Sequence, residues 1–158
     1  MNNDLVIVCV GSASVNGDSL GPLVGKFLIE KYHIPTYVYG TPTRPITNSN
    51  IDEFNNFIAK VHPNNLVLAV DASISAKNSI GHILVEPNPL VAGAVTNKHK
   101  KIGDVCIKGV VSSDYKNPIF SLMNTDFEKV ETLANNIAEL IFVTNFYFHS
   151  SLRAQNYC

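Results

Sequence analysis

The chain alternates between short runs that are apolar at every position and longer stretches whose apolar residues recur every three or four positions. Residues 5–10 form an unbroken apolar run, the mark of a strand covered on both faces. Leu20, Leu23, Val24, Phe27 and Leu28 then repeat at helical spacing, with Lys26, Glu30 and Lys31 on the opposite side. Ser19 is placed to cap that helix, and Pro22 is tolerated in its first turn. A second strand is expected over 36–39, ending at Gly40, before a loop rich in Pro, Thr and Asn that reaches Asn50. Ile51, Phe54, Ile58 and Val61 predict a second amphipathic helix, stopped by Pro63. The run 66–70 is again wholly apolar and predicts a third strand.

Further along, 81–86 and 105–111 read as strands, separated by the Pro- and Gly-containing stretch 87–103. Thr125, Asp126, Phe127 and Glu128 have the form of a capping box. Phe127, Val130, Leu133, Ala134, Ile137 and Ile141 then predict a long closing helix, with a frayed tail from about residue 149 or 150 to 158. No internal repeat or linker divides the chain, so residues 1–158 are read as one domain. Strands alternating with helices predict an α/β fold, a three-layer α/β/α sandwich with a mostly parallel central sheet.

Composition narrows the function. Twelve Lys and Arg against thirteen Asp and Glu give a net charge of -1 and a pI near 6.5. That balance offers no footprint for nucleic acid or an anionic membrane. No apolar stretch reaches the roughly 18 residues of a spanning helix, and the polar start Met1-Asn-Asn-Asp4 does not read as a signal peptide. Of three cysteines, Cys9 and Cys106 fall inside strand-like runs and Cys158 is the last residue, which predicts free thiols in a reducing cytoplasm.

Two carboxylates stand out. Asp18 lies in the loop 11–22, bounded by glycines, between the first strand and the first helix. Asp71 follows the third strand in Val70-Asp71-Ala72-Ser73. In an open parallel sheet the loops at the carboxyl ends of the strands share one crevice, and ligands bind there. Paired acids in that crevice can activate water as an acid/base dyad or hold a divalent metal that does so. Taken singly, Asp18 also suits a helix cap and Asp71 a turn.

Other chemistries fit less well. Gly11, Gly17 and Gly21 lack the spacing of the dinucleotide fingerprint, and Asp18 stands where a phosphate loop needs Lys. No G-x-S-x-G elbow occurs, and the strand cysteines should be inert. Among the histidines, His33 ends a helix, His62 is expected to face solvent at a helix stop, His82 begins an edge-like strand and His149 sits in the final helix. His99 alone falls in a long loop that could reach the acids. As a third ligand with Asp18 and Asp71 it would give a nitrogen and oxygen set suited to Zn or Ni, the alternative being a solvated loop residue among lysines.

The segments 17–25, Val38-Tyr39-Gly40-Thr41, Val70-Asp71-Ala72 and 102–111 resemble the sporulation protein YyaC family, with Gly17-Asp18-Ser19-Leu20-Gly21-Pro22 the most specific part. The resemblance runs from about Leu5 to Ile141. More distantly the layout is similar to the germination protease of spores and to hydrogenase maturation endopeptidases, which share a phosphorylase/hydrolase-like sandwich. Kinship implies that Asp18 and Asp71 correspond to those enzymes' acids, proposed as catalytic in the former and used with a histidine to recognise nickel in the latter. His99 falls near that histidine's position. The segment 92–98 resembles the Asn-Lys-bearing loop those families carry near the site, although its Val91-Ala92-Gly93-Ala94-Val95 departs from their glycine-rich run.

The resulting expectation is a spore-associated endopeptidase in the cytoplasm of the sporulating cell or the spore interior, acting on a protein or peptide. Asp18 and Asp71 would be catalytic, Thr41 and Asn97 would hold substrate, and one divalent metal (Zn or Ni) is an open possibility. The alternative is a non-catalytic peptide- or metal-binding module on the same fold.

Overall fold

The computed structural model describes residues 5–93 and 99–155. Chain order is β1 (Leu5–Cys9), α1 (Leu20–Glu30), β2 (Tyr37–Tyr39), α2 (Ile51–Val61), β3 (Leu66–Ile74), β4 (Ile83–Glu86), β5 (Leu90–Ala92), β6 (Lys100–Ile102), β7 (Val105–Ser112), α3 (Pro118–Met123) and α4 (Phe127–Gln155). The main sheet has the order β2-β1-β3-β7-β4, parallel except for the antiparallel edge strand β4. The predicted α/β sandwich is therefore the observed one.

The topology follows from chirality. β1 lies between β2 and β3, so the connection from β1 to β2 and the one from β2 back to β3 run in opposite directions across the sheet. Right-handed crossovers then put α1 and α2 on opposite faces. One face is covered by α1 and α4, which bury Ile7, Cys9, Leu68, Val70 and Ile107 together with Leu20, Val24, Leu28 and Ile137. The other is covered by α2 and the antiparallel β5–β6 ribbon, which bury Val6, Val8, Val67, Ala69 and Cys106 with Ile51, Ile58, Leu90 and Ile102. Lys100 pairs with Asp52 at 2.7 Å and Asn55 Nδ2 donates to the Lys101 carbonyl at 2.9 Å, fastening the ribbon to α2.

Two glycines set how tightly the first strand meets its helix. A Cβ on Gly21 would stand 2.0 Å from the Val10 carbonyl oxygen, so only glycine lets α1 pass over the end of β1 at this height. Gly11, at φ +141°, would bring a Cβ within 2.1 Å of the Asp18 carbonyl oxygen. That close approach folds the loop after β1 back on itself and fixes where Asp18 starts.

Several local expectations are corrected. The segment 87–103 contains the β5–β6 ribbon, and α3 was not legible in the sequence. Ser19 does not cap α1 with its side chain; its hydroxyl donates to the Asn16 carbonyl at 2.6 Å, because the chain reaches α1 through a tight helical turn, Gly17–Ser19. The cap of α4 is Asp126, whose Oδ1 accepts the Glu128 N–H at 3.0 Å, while Thr125 Oγ1 turns back to the Ser121 carbonyl. The α4 backbone stays helical through Gln155, past Ser150 where fraying is expected. His62 is buried rather than solvent-facing, with its Nε2 2.8 Å from the Tyr39 hydroxyl and its ring 4.5 Å from that of Tyr37. Cys9 and Cys106 are free and buried inside strands, as expected, and burial pushes the Cys9 thiol far up.

Candidate active site

Reversal of strand order at β1 opens a crevice at the carboxyl ends of β1 and β3. Asp18 is held over it by the Gly17–Ser19 turn, which packs against β3. Its Oδ2 accepts the Ser12 N–H at 2.7 Å, so the acid closes its own loop instead of capping α1. Burial raises the Asp18 pKa, and the Ser12 hydrogen bond pulls it partly back.

Asp71 differs from expectation in one respect: it lies within β3, which continues to Ile74, and does not follow it. The strand extends because β7 pairs with it in register as far as Ser73, with Asp71 opposite Lys108. Asp71 Oδ1 accepts the Ala72 N–H at 2.8 Å. Its pKa is raised well above the ordinary carboxylate range, first by burial and then by the negative charge of Asp18. The Ala72 hydrogen bond and the Lys108 ammonium act in the other direction, more weakly. The turn that carries Asp18 packs against the strand that carries Asp71, and the charge of Asp18 is one of the causes that raise Asp71.

Lys108 is the residue that pattern reading passed over. Its signal is a single cation interrupting the apolar run 105–111. Strand alternation places it on the same face as Cys106 and Asp71, and its Nζ meets Glu86 Oε2 of β4 at 2.9 Å. Burial and Glu86 push the Cys106 thiol up against the pull of Lys108, so it is no nucleophile.

The remaining expected residues are distributed as follows. Thr41 stands just past the carboxyl end of β2, half-buried, in a turn where the Arg44 N–H donates to both its carbonyl and its hydroxyl, at 3.1 and 3.3 Å. Asn97 lies outside the described residues. His99 is exposed immediately before β6, and among the described residues no three His, Cys, Asp or Glu side chains are grouped to hold a metal ion. Among the described residues Asp18 and Asp71 are joined by no third ligand, so the described geometry does not supply the His99 nitrogen that a Zn or Ni set would add. Among the described residues no helix is long and apolar enough to cross a membrane.

Comparison with solved structures finds this architecture among hydrolases. The [NiFe] hydrogenase maturation protease HycI from Thermococcus kodakarensis KOD1 superposes with a TM-score of 0.57 at 22% identity, covering 89% of this chain and 90% of the other. A hydrogenase 2 maturation peptidase from a Thaumarchaeota archaeon gives 0.54 at 14% identity, over 89% and 96%. Peptidyl-tRNA hydrolase from Acinetobacter baumannii gives 0.61 at 14% identity, over 98% and 93%. At such identities these likenesses establish the fold. The uncharacterized protein YyaC of Bacillus subtilis strain 168 is 37% identical over 142 residues, which span 89% of this chain and 69% of that protein. A family described as protein of unknown function DUF1256 matches residues 1–140. The chain therefore belongs to the DUF1256 family, and its resemblance to YyaC extends over most of its length.

Proposed function

We propose that this protein is an endopeptidase of the germination protease and hydrogenase maturation protease type, using Asp18 and Asp71 to activate water. One observation carries the reading: acids from two separate segments meet at the carboxyl-end crevice closely enough that the charge of Asp18 raises the pKa of Asp71. Two neighbouring carboxylates cannot both ionise cheaply, so the pair holds one proton between them. In this reading Asp71, raised by burial and by the charge of Asp18, holds the proton, and Asp18, which accepts the Ser12 N–H, is the base.

The chemistry balances with that assignment. Asp18 takes a proton from a water whose oxygen attacks the peptide carbonyl carbon. Asp71 gives its proton to the carbonyl oxygen, and collapse of the gem-diol intermediate breaks the C–N bond, the amine taking the proton held by Asp18 while one hydroxyl of the diol returns its proton to Asp71 as the product C=O forms. A divalent ion on the two carboxylates, where bound, would supply Lewis-acid polarisation of the same carbonyl. Thr41, and Asn97 outside the described residues, are the residues proposed to hold substrate backbone. The resemblance to the sporulation protein YyaC family supports, as part of this proposal, action in the sporulating cell or spore interior.

The test is cleavage of spore-extract proteins by the wild type, Asp18→Asn and Asp71→Asn, each shown to be folded by circular dichroism. Products formed by the wild type alone support the reading. Equal cleavage by all three would refute it, and no cleavage by any would assign the crevice to a binding module.

A further inference from the structure

A cleft of about 880 Å³ lies between the carboxyl end of β7, the second half of α3 with the turn that follows it, and the amino-terminal part of α4. The Asp18 turn is fastened beside it: Asn16 Nδ2 donates to the Thr125 carbonyl at 3.1 Å, and Gly17 lies against Leu122 of α3. The turn that carries Asp18 is thus built on the same α3–α4 corner that lines the cleft.

Its lining has a definite chemistry. Ile80 and Phe120 stand at the rim with 44% and 66% of their surfaces exposed. Ile119 and Met123, also on α3, extend the apolar surface beyond the rim. Asp114, Asp126 and Glu128 line the same cleft against the single cation Lys129. Apolar contact area combined with a surplus of carboxylates is complementary to a peptide in which Lys or Arg adjoins a large apolar residue. The main-chain commitments of the acids leave their charge in place: Asp114 accepts the Lys116 N–H at 2.9 Å and Asp126 accepts the Glu128 N–H.

The geometry points to this cleft as the substrate-recognition site of the proposed peptidase, selecting a basic and apolar segment of the polypeptide to be cut. The assignment rests on the peptidase reading for its purpose, and on the cleft alone for its binding. It commits to a peptide strand as occupant rather than a second copy of this chain.

The experiment is fluorescence anisotropy with a short dye-labelled peptide containing two lysines flanked by leucine and phenylalanine, beside a counterpart with glutamate for each lysine. The full chain is used as wild type, Glu128→Lys and Phe120→Ser. The basic peptide should bind at least about tenfold tighter than the acidic one. Glu128→Lys and Phe120→Ser should each weaken it at least about fivefold. Equal affinities, no binding of either peptide, or binding untouched by both cleft variants would overturn the assignment. So would sedimentation showing a dimer that Phe120→Ser dissociates. Selective binding without cleavage of any peptide would leave the cleft in place and remove only the peptidase.

Discussion

Replacing Gly21 by Ala sets two effects of opposite sign against each other. Gly21 lies in the first turn of α1, where alanine would favour the helix by about 1 kcal/mol. The new Cβ, however, would stand 2.0 Å from the Val10 carbonyl oxygen, 2.9 Å from its carbonyl carbon and 3.0 Å from its nitrogen. All three are main-chain atoms at the end of β1, held by the Val10 N–H bond to the Val70 carbonyl at 2.7 Å, so the strand cannot give way. Recovering an ordinary non-bonded separation requires α1 to lift by more than about 1 Å, which loosens Leu20, Val24 and Leu28 against the sheet. Overpacking of this kind costs about 1–3 kcal/mol or more, and the opened contacts add to it, so the clash outweighs the propensity gain. A net loss of about 2–3 kcal/mol lowers Tm by roughly 4–12 °C in a domain of this size. Urea and thermal unfolding, followed by circular dichroism, measure both. Gly81→Ala is the control: nothing lies within 4 Å of its Cβ, and only its φ of +87° resists, at about 1–2 kcal/mol. A Gly21→Ala protein as stable as the wild type would refute the close passage of α1 over β1.

Three further outcomes follow from the same structure. Asp71 has a folded-state pKa above its unfolded one, so its ionisation opposes folding; stability falls by up to about 1.4 kcal/mol per pH unit between those two values. Asp71→Asn should therefore stabilise the protein above that window and change little below the ordinary carboxylate pKa; equal effects at pH 3 and pH 8 would contradict this. Ile137→Ala, at a fully buried position between α4 and the sheet, should cost about 2–5 kcal/mol in urea unfolding, and a loss under about 1 would mean α4 does not close this face. Cys9 should stay unmodified by a thiol reagent in the native protein and react only in denaturant, as peptide mass mapping will show; rapid native labelling would contradict its burial and raised pKa.

Much of this fold was legible because the sheet is covered on both faces. Strands such as 5–10 and 66–70 had to be apolar at every position, and the helices between them had to show one apolar stripe. The β5–β6 ribbon was not legible, since three-residue strands such as Leu90–Ala92 are too short to show a period. The short α3 escaped for a related reason: Ile119, Phe120 and Met123 do not face the core, so its apolar residues trace no buried stripe. His62 next to Pro63 reads as a surface stop, and only the tertiary arrangement of Tyr37 and Tyr39 buries it.

The candidate site divides the same way. Asp18 and Asp71 were found because each follows or interrupts an apolar strand at its carboxyl end. Lys108 and Glu86 became meaningful only when β7 and β4 proved to be neighbours, a pairing that local sequence does not encode.

The central claim is that Asp18 and Asp71 act on one another across a single crevice. Its most direct test is titration of the Asp71 carboxyl by carbon-13 NMR in the wild type and in Asp18→Asn. Removing the Asp18 charge should lower the Asp71 pKa while leaving it above the ordinary carboxylate range, because burial is the larger cause. An Asp71 titration identical in the two proteins would show that the acids do not share a site.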